Sequence, residues 1–486
     1  MKDFLNLSIV ELHECLLKGE ISPKQLVNLS IDRAKNDDNN AFEYICEKEA
    51  KIELDELKNK NKNNLLWGIP YVLKDNISTK DIPTTASSEI LKDYIPVFSS
   101  EVYLRLKQQG AILIGKTTLD ELAMGGYGIS GHLGKTYNPW DKTHSRIVGG
   151  SSSGSAAACA AGIVPFAIGS DTGDSARKPA SYAGLVGFKP TWGRISRYGL
   201  FPFAPSLDHI GFFTRNVTDS AIVLSALAGK DEKDSTCSSK PVDDYVGQLQ
   251  KDEKGLKIAI IDEIFATISD QNVRNLFINL ITKLEKCGVI INHVSLSKEL
   301  CLVIYPTYLI LSSTEAVSST ANLDGIKFGM NASGNNFKNI AINSRSEKLS
   351  IHTKKRLLIG EYALYKNNQQ DLLLKAQKCR GAIVNRINEI LKDNDFIILP
   401  AAPSVAPTFN QIKNQSNDEQ LVAENFMAIA NFGGYPSISI PLGFENNLPL
   451  GVNVTGNLFD ESRLLAFSKK IEDMLGFKNF VAKNNE

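Results

Sequence analysis

The segment 149–181, GGSSSGSAAACAAGIVPFAIGSDTGDSARKPAS, packs seven serines among glycines, alanines and little that is bulky. Consecutive backbone N–H groups ahead of a helix can cradle an anion, but GGSSSGS lacks the GK[ST] ending of a nucleotide phosphate loop. Gly150 to Gly154 also fits GxSxG, the strained strand–turn–helix elbow that would make Ser152 a nucleophile. Only RIV precedes it as a strand. A serine hydroxyl needs a base within hydrogen-bond reach. His209, after SLD, is one candidate, although the six histidines are dispersed and none has a metal-ligand spacing. Lys74, ending the apolar run GIPYVLK, is by itself unremarkable, since a lysine after such a run usually lies on the surface. Taken singly, these are equally a tight Ser/Gly loop, an ordinary histidine and a surface lysine.

Residues so far apart need a scaffold. Ser22-Pro23 supplies an N-cap and a first-turn proline for a helix in an N-terminal helical segment spanning about 5–60. GIPYVLKDN reads as a strand entering a loop. SSEVYLRLKQQG then AILIGKT reads as a capped helix, a glycine stop and a buried strand. GSAAACAAG followed by VPFAIGSD repeats this alternation. LKIAIID and VIINHVSL are strands flanking a helix whose Val273, Leu276, Phe277, Leu280, Ile281 and Leu284 share one face. Ser269 caps that helix and Gly288 stops it. FIILPAAP, the pair SISIPLG and LGVNVTG joined by FENNLP, and the helix ESRLLAFSKKIEDML complete the chain. NASGNNFKN and QIKNQSNDEQ read as loops. The alternation predicts one large α/β domain over 1–486.

Composition excludes other classes. With 54 basic and 54 acidic residues among 486, no global field draws polyanions. Seven scattered cysteines without a CxxC pair argue against a disulfide framework or a zinc site and for a reducing compartment. MKDFLNLSIVELHECLL is neither a signal nor a transit peptide, and no apolar run approaches a membrane span. A cytoplasmic protein is expected.

In combination the motifs say more. GIPYVLKDN, GGSSSGSAAACAAG and GSDTGDSARKPASYAGLVGFKPT, in that order, resemble the amidase signature family. GRISRYGLFPFAPSLDHIGFFTRNV, DELAMGGYG, EAVSSTANLDGIKFG and KRLLIGEYAL are similar to its subfamily of glutaminase components of tRNA-dependent amidotransferases, and the likeness covers essentially the whole chain. It implies an α/β/α domain with a mixed central sheet flanked by helices and a signature core about 66–225. It also implies a Ser-Ser-Lys triad of Lys74 as base, Ser151 as bridging relay preceding a cis peptide, and Ser175 as nucleophile. The oxyanion is implied to meet backbone N–H groups of Thr172, Gly173, Asp174 and Ser175. Tyr308, Arg356 and Glu424 are implied to bind glutamine, an arginine suiting an α-carboxylate and an acid an α-amino group. The implied activity is glutamine hydrolysis, with ammonia passed to a B subunit that uses ATP and Mg to activate the glutamate of Glu-tRNA(Gln), and with a small C subunit completing a heterotrimer. No cofactor, metal or membrane contact is expected in this chain itself.

Three positions depart from the family pattern. Glu424 stands where aspartate is usual, and Ser153 and Asp174 where glycine is usual. A carboxylate beside the nucleophile repels a forming oxyanion unless it points away or pairs with Lys74, so Asp174 is expected to slow hydrolysis. The other readings are a stand-alone amidase of the same family, a catalytically impaired scaffold component, and an esterase using Ser152 with a histidine.

Overall fold

The computed structural model describes residues 3–251, 253–414 and 418–482. Eleven strands form one mixed sheet: β1 (Phe42–Ile45), β2 (Pro70–Lys74), β3 (Ile112–Thr117), β4 (Phe166–Asp171), β5 (Val186–Lys189), β6 (His209–Thr214), β7 (Lys257–Ile261), β8 (Ile290–Val294), β9 (Phe396–Pro400), β10 (Ser437–Glu445) and β11 (Leu448–Gly456). Their order is β1-β3-β2-β4-β6-β5-β10-β11-β9-β7-β8. β2 runs parallel to β3 and β4, whereas β6, β5, β10 and β11 meet their neighbours antiparallel. Strands buried on both faces read as unbroken apolar runs, which is why PYVLK and ILIGKT are buried throughout.

The expected elements form for the expected reasons. Ser22 caps helix Pro23–Lys35 by accepting from the Gln25 amide, and Gln25 returns the bond. Ser100 caps Glu101–Gln109, which Gly110 ends at φ 85°. The β7 and β8 strands are parallel and joined through helix Gln271–Lys286. Its cap is Asp270, whose carboxylate accepts from Asn272 and Val273, not Ser269. The late hairpin is tighter than expected. β10 and β11 run on into FENNLP, leaving Asn446 and Asn447, both at positive φ, as a two-residue turn.

Other differences follow from context. β1 lies inside the segment expected to be helical, because Phe42, Tyr44 and Ile45 pair with the exposed edge of β3. Within QIKNQSNDEQ, helix Asp418–Asn425 begins, while 415–417 lie outside the described residues. The segment Lys298–Ser319 is long and apolar enough, by length and composition, to cross a membrane, contrary to the sequence expectation. Half of its apolar window is buried within the protein, and its second part, helix Ile304–Ser319, packs on helix Ile351–Leu364.

Candidate active site

Lys74 closes β2, beside parallel β4, with Leu73 level with Ile168. That register carries its amine to Ser170, near the end of β4. Nζ donates to Ser170 Oγ at 2.9 Å and to Ser151 Oγ at 2.8 Å. Lys74 is wholly buried, so it is not a surface lysine. Desolvation pulls its amine down to about 7, against the opposing pull of Asp120, Asp171 and Asp208. In the neutral amine the Ser151 contact can run the other way, with the hydroxyl donating to nitrogen.

Small residues let the loops converge on Lys74. The peptide Gly150–Ser151 is cis, so this bond precedes Ser151 rather than following it as the resemblance implied. A Cβ on Gly150 would collide with the Asp120 carboxylate and lie 2.7 Å from the Gly128 amide. Asp120 in turn gathers the amides of Tyr127, Gly128, Ile129 and Ser130 and donates its own N–H to the Ser151 carbonyl. The helix Ser153–Ala160 buries every side chain, and at Gly154 a Cβ would lie 2.6 Å from Thr118 Oγ1. Ser153, one of the departures, is absorbed by Thr136 at 3.0 Å.

The middle serine of GGSSSG is occupied. Ser152 Oγ donates to the Ser170 carbonyl at 3.0 Å and accepts from the Ser170 amide at 3.2 Å, clamping β4 to the loop. Its own N–H donates to the Ser175 carbonyl at 3.3 Å. The two serine loops are thereby stitched together. His209 instead opens β6, opposite Asp171, and its Nδ1 pairs with the Leu207 carbonyl. Burial pushes its imidazole well below its ordinary range. The elbow reading of Ser152 with His209 has no geometric support.

Beyond β4 the chain turns through Thr172, Gly173, Asp174 and Ser175 into helix Arg177–Ala183. Thr172 Oγ1 donates to Asp208 at 2.7 Å. The Gly173 carbonyl accepts from Arg177 Nη2 at 2.7 Å, so the trans peptide aims the Asp174 N–H the opposite way. Among the described residues the amides of 172–175 donate to no protein acceptor. Arg177 is buried and anchors the turn, gripping Asp171 through Nε and Nη2 at 3.1 and 2.9 Å and bonding to Asn431. This pairing holds the Asp171 carboxyl well below the usual carboxylate range despite its burial.

Asp174 does not pair with the lysine considered for it. Its carboxylate pairs with Lys178, one helical turn on, not with Lys74. Burial pushes its carboxyl up, and Lys178 pulls it back.

Tyr308 lies against the turn, since a Cβ on Gly173 would meet its Cε2 at 2.9 Å. Arg356 stands over the Tyr308 ring at 5.5 Å and bonds to Ser312 at 3.3 Å. Glu424 accepts from the Tyr127 hydroxyl at 3.3 Å. Tyr308 and Arg356 are thus directly joined, whereas Glu424 is linked to the serine loops through Tyr127 and Asp120. Sequence reasoning missed Ser170, Asn76, which donates to Ser170 Oγ at 3.1 Å, and the Asp171–Arg177–Asn431 cluster. Ser170 and Arg177 lie inside the quoted SDTGDSAR motif. No local pattern marks Ser170, because the pairing of β4 with β2 is what brings it to Lys74.

A strand-end lysine held between serine hydroxyls, next to a turn of free N–H donors, is an arrangement suited to acyl transfer. The family model described as Amidase matches residues 25–465. The chain is 39% identical over 477 residues, covering 96% of it and 97% of the relative, to the A subunit of the glutamyl-tRNA(Gln) amidotransferase of Sulfurihydrogenibium sp. (strain YO3AOP1). It is 38% identical over 481 residues to the protein of the same name in Halothermothrix orenii, covering 98% of each. Its fold is similar to the crystal structure of the corresponding glutamyl-tRNA(Gln) amidotransferase component from Thermotoga maritima, with a TM-score of 0.79 and 34% identity over 97% of this chain and 96% of that one. Geometry, family model and relatives agree, and the chain belongs to the amidase family.

Proposed function

We propose that this chain is the glutaminase component of a tRNA-dependent amidotransferase, hydrolysing glutamine through a glutamyl ester on Ser175. The observation that carries this reading is the buried Lys74 amine, lowered to about 7 and bonded to Ser151 beside the turn that holds Ser175. The near-full-length relatives, named as A subunits of glutamyl-tRNA(Gln) amidotransferase, support the assignment to that complex.

Ser175 Oγ attacks the carboxamide carbon of glutamine while its proton passes to Ser151, whose own proton goes to Lys74 Nζ. The oxyanion lies among the amides of 172–175, each donor lowering the barrier by about 3 kcal/mol. Collapse of the tetrahedral species expels the amide nitrogen, protonated by the same relay, as ammonia. Water, deprotonated by that relay, then cleaves the ester, releasing glutamate and restoring Ser175. Arg356 takes the substrate α-carboxylate, Glu424 the α-amino group, and Tyr308 the face of the side chain. Ammonia passes to a B subunit that uses ATP and Mg to convert Glu-tRNA(Gln) into Gln-tRNA(Gln), within a cytoplasmic heterotrimer that includes a C subunit.

Ammonia release from glutamine tests this reading, measured for the chain alone and with B and C subunits, ATP and Glu-tRNA. Release that is abolished in Ser175→Ala and stimulated by the partners is expected. Release that survives Ser175→Ala overturns the assignment.

A further inference from the structure

We infer that Lys178 is a positioning residue that neutralises Asp174 beside the nucleophile, so that oxyanion formation in this chain depends on a paired acid and base in the turn. The inference rests on Ser175 being the nucleophile. Asp174 immediately precedes Ser175, and its N–H is one of the donors left free by the Arg177 grip on the Gly173 carbonyl. A charge on its side chain therefore lies close to any anion held by the turn. The side chains of Lys178 and Asp174 are 5% and 13% exposed, so solvent screens the pair little. The Lys178 amide also donates to the Asp174 carbonyl at 2.9 Å, which fixes the spacing between the partners.

Among the described residues Lys178 makes the only ion pair with Asp174, and the charge of Arg177 is felt more weakly. Arg177 is committed to Asp171, Gly173 and Asn431. Asp171 on β4 adds repulsion to Asp174. The remaining groups that feel Asp174 are Tyr308, on helix Ile304–Ser319, Tyr127, in the loop gathered by Asp120, and Tyr182, on the helix of Lys178. Glu424 acts on Tyr127 and Tyr182 with the same sign. Burial pushes all three tyrosines above their ordinary range, so they stay neutral below about pH 9. Without Lys178, the largely buried Asp174 is left with the repulsion of Asp171, three neutral tyrosines, the committed Arg177, and Arg356 across the Tyr308 ring. It stays protonated and harmless at low pH, then ionises and repels the oxyanion as pH rises.

The test is the pH profile of glutamine hydrolysis by the chain with its partner subunits. In Lys178→Gln the deficit against the parent should grow with pH, from within about 2-fold at the acid end of the profile to roughly 10-fold or more at its alkaline end, the order expected of one uncompensated charge nearby. Lys178→Arg should keep the parental profile. The near-isosteric double variant Asp174→Asn with Lys178→Gln should return to within about 3-fold at every pH. A Lys178→Gln profile that parallels the parent overturns the inference. If that variant does not fold, the double variant decides: a deficit of roughly 10-fold or more overturns the inference, and near-parental activity supports it. Ser175→Ala in the same assay separates the two levels. If it remains active, the nucleophile assignment fails. If it is inactive while Lys178→Gln behaves as the parent, only the role of Lys178 fails.

Discussion

Replacing Lys74 by methionine should stabilise the protein while abolishing hydrolysis. Moving the amine from its ordinary 10.5 to about 7 costs the fold about 5 kcal/mol, at about 1.36 kcal/mol per pH unit. The sign follows from proton counting. Between pH 7 and 10.5 the unfolded chain binds a proton that the folded chain does not, so stability rises with pH across that window. The cost is complete below pH 7 and fades as pH approaches 10.5. Methionine removes it but leaves the hydroxyls of Ser151 and Ser170 without the amine, returning about 1–3 kcal/mol. The net gain near neutrality is then roughly 2–4 kcal/mol. At about 2.1 cal/mol/K per residue, a chain of 486 residues has an unfolding entropy of about 1 kcal/mol/K, so Tm should rise by about 2–4 °C. Thermal melts of parent and variant from about pH 6.5 to pH 10 measure the gap, which should shrink or reverse at the alkaline end. A variant that melts below the parent by a constant margin at every pH would refute the claim that Lys74 is held neutral at the expense of stability.

Other consequences are checked in parallel. Glutamine kcat/KM should climb with pH through about 7, because only the neutral Lys74 amine accepts a proton; a rate flat from pH 6 to 8 contradicts a lysine base. Ser151→Ala should cut kcat by roughly 100-fold or more, while Ser152→Ala should cost about 1–3 kcal/mol in a urea melt yet stay within about 10-fold in rate, since Ser152 Oγ serves the Ser170 backbone. Arg177→Met strands the buried Asp171 carboxylate, so denaturant titration should show a loss of about 3–5 kcal/mol. Asp174→Gly alone should also destabilise, because it leaves Lys178 unpaired in a largely buried position; it should not bring the acceleration that the sequence by itself suggests.

Local signals carried much of the architecture. Proline after a serine cap, glycine stops and the apolar face of Gln271–Lys286 are encoded within a few residues, and each produced its element. β1 escaped because FEYI gains its structure only from the edge of β3, a partner roughly 70 residues away along the chain. The hairpin turn was read as too long because the pattern weakened at FENNLP, although Asn446 and Asn447 suit positive φ. At the site, the resemblance nominated Lys74, Ser151 and Ser175, and long-range contacts supply the surroundings. The burial of Lys74 depends on β3, β4 and the loop of Ser151 together. The neutralisation of Asp174 uses a lysine four positions on, an acid–base spacing present in the sequence, but only the fold shows that the pair is largely buried beside the nucleophile. The role of Ser170 emerges only from the register of β2 against β4.

The central claim is that Ser175 carries the acyl group. Acid quenching the chain and its partners during glutamine turnover, then peptide mass analysis, tests it most directly. The added mass of one glutamyl group is expected on the peptide containing Ser175, and should be absent in Ser175→Ala. A glutamyl adduct on Ser152, or continued ammonia release from Ser175→Ala, would contradict it.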